Sequence, residues 1–200
     1  MATRLRRGER RQANREAVLD AAVKVFRERG YQGTSLQAIA EAAGFSRGVT
    51  YSQFESKADL FMAALERRRD ERSAGQRLAV DGDDPWESFI EEIVTQQLSD
   101  PAWILVTMEF RATALRDEHV AAEYRRLHAA TLRELGATLE ELYERSGVTP
   151  PAPPSVLATI LAAMGAGAVL EATAGPPVDD VAARQALRAV LGAPPTEVPR

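Results

Sequence analysis

The sequence predicts an all-α chain of about nine helices, with a small N-terminal three-helix unit followed by a larger helical one. Two observations carry this. No stretch alternates apolar and polar residues with a period of two, as a half-buried strand would. Apolar residues instead recur every three or four positions, and the breaks between these runs carry helix-stopping or helix-starting chemistry, as at Gly44, Asp84-Pro85 and Gly147 to Pro154. Two hundred residues with 45% hydrophobic content are enough for two units.

Residues 1–11 read as a flexible basic arm carrying Arg4, Arg6, Arg7, Arg10 and Arg11, either lying along a DNA minor groove or backbone or serving as a disordered solubilising tail. The first helix is predicted from about Gln12 to Arg29, with Val18, Ala21, Ala22, Val25 and Phe26 as its apolar stripe. Thr34, three residues before Gln37, has the spacing of a reciprocal capping box, and Leu36, Ile39, Ala40 and Ala43 give the next short helix one buried face. Gly44 stops that helix, and Phe45 folds back onto the core. Ser46 stands where it would cap a second short helix, Arg47 to Thr50 and beyond. Ser56, with Asp59 three residues on, opens a third through Ala58, Leu60, Phe61, Ala64 and Leu65. Two short helices joined by a tight turn have the layout of a helix-turn-helix, spanning 12–56, that presents its second helix to DNA.

A connecting helix follows over 57–80, whose run from Glu66 to Arg72 pairs opposite charges at helical spacing and reads as a solvated face. The larger domain is expected over 81–192. Asp84 caps a helix starting at Pro85, a second start lies at Asp100-Pro101, and a long helix runs from about Glu118 to Ser146. Gly147 to Pro154 cannot be helical. Ser155 to Ala174 is a very apolar helix, Gly175-Pro176-Pro177 breaks it, and Val181 to Leu191 is the last. The tail 193–200 is expected to be disordered.

Residues 12–65 resemble the DNA-binding domain of the TetR family of one-component transcriptional regulators. The matching positions are Ala21, Phe26, Gly30-Tyr31, Thr34-Ser35-Leu36, Ile39-Ala40, Ala42-Ala43-Gly44, Ser46, Gly48, Tyr51, Phe54, Ser56-Lys57 and Leu60. Two positions depart from the pattern: Thr50 stands where such domains usually have a large aliphatic, and Gln53 where histidine is common. The resemblance covers about a quarter of the chain. It implies a helical ligand-binding and dimerisation domain behind the helix-turn-helix.

The charge distribution agrees with a divided chain. Residues 1–57 carry eleven Lys/Arg against six Asp/Glu, net +5, whereas the remainder carries fourteen against twenty-three, net -9. A basic head suits nucleic acid, and an acidic body is repelled by phosphate. Arg47 is the candidate for base readout, since a guanidinium pairs bidentately with guanine O6 and N7; a phosphate contact is the alternative. Gly48 lets the helix backbone approach the groove. Thr50 is expected on a thymine methyl or a phosphate, Tyr51 with its ring on the core and its hydroxyl on a phosphate, and Lys57 on a phosphate at a helix start. Gln37 reads either as a base contact or as a cap, and Ser35 and Ser46 either as phosphate donors or as caps.

A short recognition helix reads few base pairs, so such heads work in pairs on near-palindromic double-stranded DNA, with half-sites about 34 to 36 Å apart. The expected homodimer surface is formed by the Val156–Ala174 and Val181–Leu191 helices, packed as four helices across a two-fold. By resemblance, the larger domain holds a small-molecule effector. Trp86, Phe89, Trp103, Met108, Phe110, Tyr124, Leu127 and Met164 are candidate apolar lining, with plain core as the alternative for each. Glu109, Arg111 and His128 are candidate polar groups; Glu109 and Arg111, two apart, do not easily face one pocket, whereas Tyr124 and His128 are one helical turn apart. Repression, relieved by that effector, is the expected output. The alternative is a helix-turn-helix scaffold acting through protein–protein contacts without an effector.

Composition and motifs argue against other classes. There is no cysteine, hence no disulfide and no thiolate metal site. His119 and His128 are nine residues apart, about 180° around one helix, and cannot share a metal. No phosphate loop or catalytic triad order is recognisable, so neither catalysis nor a cofactor is expected. The start of the chain has no apolar signal region, and Val156 to Leu170 falls short of the roughly 20 residues that span a bilayer, so a cytoplasmic protein with no membrane partner is expected.

Overall fold

The structure is a computed structural model that describes residues 7–195. Among the described residues there are nine helices and no strand: α1 (Arg7–Arg29), α2 (Leu36–Ala42), α3 (Arg47–Tyr51), α4 (Lys57–Val80), α5 (Pro85–Leu98), α6 (Pro101–Ala114), α7 (Glu118–Ser146), α8 (Pro154–Glu171) and α9 (Asp180–Leu191). The all-α expectation holds. The first helix begins earlier than predicted, so Arg10 and Arg11 of the expected arm stand on α1. Nothing between Arg7 and Gln12 breaks a helix except the exposed Gly8, Glu9 favours the first turn, and Gln12 Nε2 donates to Glu16 Oε1 at 2.7 Å. The rest of the arm, 1–6, and the tail's 196–200 lie outside the described residues.

The chain divides into two compact units, and the division cuts through helices. One gathers Met1–Arg68 and Leu105–Tyr124; the other gathers Arg69–Ile104 and Arg125–Arg200. The contiguous blocks expected from the sequence therefore differ from the packing, because helical periodicity shows that a face is buried but not which core buries it.

In the first unit the core is aromatic. Phe26, Phe61 and Phe110 are fully buried. Phe61 packs on Phe110 at 4.6 Å between ring centroids, Tyr31 meets Phe110 edge-on at 5.0 Å, and Tyr124 closes the cluster against Phe110 at 5.8 Å. Phe110 of α6 and Tyr124 of α7 thus belong to the same core as the helix-turn-helix.

In the second unit α5, α7, α8 and α9 pack around Phe89, Ile90, Leu139, Leu142, Leu157 and Leu187. Asp84 accepts the Glu87 N–H, starting α5 as the Asp-Pro signal anticipates, and Asp179, which the sequence reading did not single out, caps α9 by accepting the Ala182 N–H. Arg184 pairs with Glu91 and Arg188 with Glu87, tying α9 to α5. Helix α8, 18 residues at mean hydropathy 1.5, is by length and composition apolar enough to cross a membrane, so its length does not exclude a span as the shorter predicted stretch did. One side of it is taken up by the unit's own core through Leu157, Ala158 and Leu161.

Candidate nucleic-acid interface

The turn between α1 and α2 starts at Gly30, whose φ of +72° is the left-handed conformation that ends a helix. Thr34 is buried and its hydroxyl donates to the Gly30 carbonyl at 2.7 Å, so it is not free to cap. Ser35 caps α2 instead, its Oγ accepting the Ala38 N–H at 3.1 Å. The predicted Thr34–Gln37 capping box is thus displaced by one residue. Gln37, on the exposed side of α2, donates to Glu41 Oε1 at 3.0 Å. Gly44, also at φ +72°, ends α2, and the Phe45 N–H returns to the Ala40 carbonyl at 3.0 Å.

Helix α3 is one turn and a half long. Ser46 has the extended backbone of an N-cap but its side chain makes no capping hydrogen bond, leaving an exposed hydroxyl at the amino end of α3. Helical spacing then sorts the side chains. Arg47, Gly48 and Tyr51 are exposed, Phe45 and Val49 are half-buried, and Thr50 and Phe54 are fully buried. The Arg47 guanidinium lies 5.1 Å from the Tyr51 ring centroid, and Nη2 donates to the Tyr51 hydroxyl at 3.4 Å. The pair forms one exposed cationic-aromatic surface on α3.

Two expected contacts, those of Thr50 and Lys57, are corrected. Thr50 is 0% exposed, and its Oγ1 has no hydrogen-bond partner. The position is on the core side of α3, which explains why an aliphatic is usual there and removes Thr50 from the contacting surface. Tyr51 is 42% exposed, and the Arg47 guanidinium lies over its ring. Lys57 turns inward: Nζ donates to the Tyr31 carbonyl at 2.7 Å and sits 4.4 Å from the centre of the Tyr31 ring. Burial holds its ammonium below the usual lysine range, opposed by the nearby Glu109 carboxylate. A cation satisfied in this way is not presented to phosphate.

One part of this surface escaped the motif reading. Arg11, Gln12 and Arg15 of α1 line a small concavity with Gly8 and Gln53. Arg15 lies 4.4 Å from the Phe54 ring centroid and donates to the Gln53 carbonyl at 3.4 Å, so α1 carries positive charge to the carboxyl end of α3. The four-residue spacing of Arg11 and Arg15 is the signal that was available.

The effector candidates are divided between the two units. Phe110, Tyr124, Met108 and Arg111 belong to the first unit, where Phe110 is fully buried, the half-buried Tyr124 packs against it and Arg111 lies over the Tyr124 ring at 5.6 Å. Trp86, Phe89, Trp103, Leu127, His128 and Met164 belong to the second. There Trp86 and Phe89 are core, the former edge-on to Tyr143 at 5.2 Å. Trp103 is buried, while Leu127, His128 and Met164 are half-buried.

Residues 18–64 match the family model described as bacterial regulatory proteins, tetR family. Residues 84–193, more than half of the chain, match the model described as BetI-type transcriptional repressor, C-terminal. The chain belongs to the TetR family of transcriptional regulators. Among the relatives of this TetR-family chain, the HTH-type transcriptional regulator UidR of Escherichia coli K12 is 23% identical over 181 residues, covering 90% of this chain and 92% of UidR. The structure of Salmonella enterica GusR shares the fold with a TM-score of 0.69 at 21% identity, over 90% of this chain and 96% of GusR. The Bacillus subtilis regulator FadR in complex with stearoyl-CoA does so with a TM-score of 0.68 at 15% identity, over 88% and 97% of the two chains. The helix-turn-helix is accordingly a DNA-binding head.

Proposed function

We propose that this TetR-family regulator is a repressor that binds a near-palindromic operator as a homodimer and is released by a small-molecule effector. The observation that carries the DNA side of this reading is the exposed Arg47–Tyr51 pair beside Gly48 on α3. Arg47 reads a base, Tyr51 holds the guanidinium in place and offers its hydroxyl to the backbone, and Gly48 permits close approach. The exposed Ser35, Gln37 and Ser46 side chains, with Arg11 on α1, supply phosphate or base contacts around it. The dimer reading is supported by α8. While one side of that helix fills the core, Val156, Ile160 and Leu170 remain 45%, 37% and 54% exposed, a second apolar face of the kind an isologous partner covers.

The effector belongs, in this reading, to the second unit near the half-buried Leu127, His128 and Met164. Because Bacillus subtilis FadR shares the fold and holds stearoyl-CoA, acyl-CoA thioesters are the first series to try. Such a ligand must bind the DNA-incompetent state more tightly, since equal affinity shifts nothing. The regulator acts in the cytoplasm, where operator DNA is. The test is fluorescence anisotropy of the full chain on the DNA upstream of its own gene, across a salt series and with acyl-CoA added. Tight binding that weakens steeply with salt and is relieved by the thioester supports the proposal; binding with no salt dependence, or none at all, overturns it.

A further inference from the structure

At Gly44 and Gly192 the helix closes on itself: the residue after the glycine, Phe45 or Ala193, returns its N–H to the Ala40 or Arg188 carbonyl of its own helix. At Gly30 the chain turns in the same left-handed way, yet the corresponding N–H, that of Tyr31, leaves its helix. It donates to Glu109 Oε2 of α6 at 2.8 Å, and the Gln32 N–H points to the same oxygen at 3.4 Å. The carboxylate lies so close that a Cβ on Gly30 would stand 2.8 and 2.9 Å from its two oxygens. On the other side of the same turn Lys57 of α4 takes the Tyr31 and Gln32 carbonyls at 2.7 and 3.5 Å, and its charge faces Glu109. Gln32 Nε2 also reaches the Thr113 hydroxyl of α6 at 2.5 Å. Both polar edges of Tyr31-Gln32 are therefore held from outside, one by α6 and the other by α4.

We propose that Glu109 is a positioning residue for DNA binding: its carboxylate replaces the self-closing bond at the end of α1, so that α6 sets the turn from which α2 and α3 start. All these groups lie in one compact unit. The turn spans only Gly30 to Ser35 before α2 begins. A rotation of α6 that carries Glu109 is then passed to the α3 surface through two backbone N–H groups, and α1 cannot relax by closing on itself without releasing them. This assignment rests on α3 being the DNA-reading helix, as proposed above.

The chain has no cysteine, so Ser52→Cys and Ala112→Cys place one spin label at the exposed end of α3 and one on α6 without competing sites. Distances between them are measured by electron paramagnetic resonance in full-length protein diluted with unlabelled chain, alongside anisotropy on the upstream DNA fragment. Glu109→Ala is expected to broaden the distance distribution and to weaken DNA binding about tenfold, with the salt slope unchanged because no phosphate contact is lost. Glu109→Gln keeps a carbonyl acceptor of the same reach and should fall between; it is also the variant to read if the alanine form does not fold. An unchanged distribution, or wild-type affinity despite a broadened one, overturns the assignment. Failure of the unsubstituted protein to bind DNA sinks the function proposed above, and the distance measurement still decides whether Glu109 fixes α3.

Discussion

Replacing Gly30 with alanine imposes two separable penalties, and Gly44 supplies the control. Both glycines sit at φ +72°, so each substitution places a Cβ in the left-handed region at a cost of about 1 to 2 kcal/mol, partly offset by about 0.4 to 1 kcal/mol from the stiffer unfolded chain. A Cβ on Gly44 meets nothing within 4 Å, whereas one on Gly30 collides with the Glu109 carboxylate. That carboxylate is the end of a flexible side chain and swings away. What is lost is its charge-assisted bond to the Tyr31 N–H, about 1.5 kcal/mol at the low end for a group near the surface. Gly30→Ala should therefore destabilise the protein by about 2 to 3 kcal/mol and Gly44→Ala by about 1 kcal/mol. Urea unfolding followed by circular dichroism, at one fixed protomer concentration because the chain is proposed to dimerise, gives both values. Repeating the pair in a Glu109→Ala background should erase the difference. Equal costs for the two alanines, or an undiminished Gly30→Ala penalty without Glu109, would refute the reasoning.

Thr50→Val removes a buried hydroxyl that has no partner and keeps its volume, so stability should stay level or rise by about 1 kcal/mol with DNA affinity retained; a folded variant that loses affinity would return Thr50 to the DNA surface. Lys57→Met should leave the salt slope of DNA binding near that of the unsubstituted chain, and a fall of about one unit would restore Lys57 as a phosphate contact. Arg47→Ala should relax preference at one base position of each half-site by about 1 to 3 kcal/mol, measured by binding to a set of single-base operator variants; an unaltered preference would reduce Arg47 to a backbone contact. Tyr143 donates to the Leu191 carbonyl at 2.5 Å, and burial pushes its phenol up to about 12. Because the folded form holds this proton more tightly than the unfolded one, stability should be undiminished below the ordinary tyrosine pKa of about 10 and fall as pH rises from there toward 12. Tyr143→Phe should flatten that limb in pH-dependent melting curves, and a limb of unchanged steepness would contradict the assignment.

Local chemistry was legible wherever one segment decides its own shape. The helix stops at Gly30 and Gly44, the starts at Ser56 and Asp84, and the burial of Phe54 and Leu60 all follow from spacing and residue type. Legibility ended where two hydroxyls or two cores compete. Thr34 and Ser35 can both cap α2, and the Gly30 carbonyl decides by taking Thr34. Phe110 suits a ligand pocket or a core by composition, and it is fully buried against Phe61 and Tyr31. Lys57 has a phosphate-binding address in sequence, but two carbonyls, an aromatic face and Glu109 hold its ammonium inside.

By itself, the sequence determined that the chain is helical, that its basic head carries a helix-turn-helix, and that α3 opens with Ser46, Arg47 and Gly48, because caps, breaks and periodicity act over a few residues. Only the tertiary structure decided that Thr50 faces inward, that α6 from Leu105 onward packs with the DNA-binding head, and that Glu109, 78 residues beyond Tyr31, completes the end of α1. The reason is range: a hydrogen bond between distant segments depends on how helices pack, and no local pattern in the chain records which carboxylate will arrive at an open helix end.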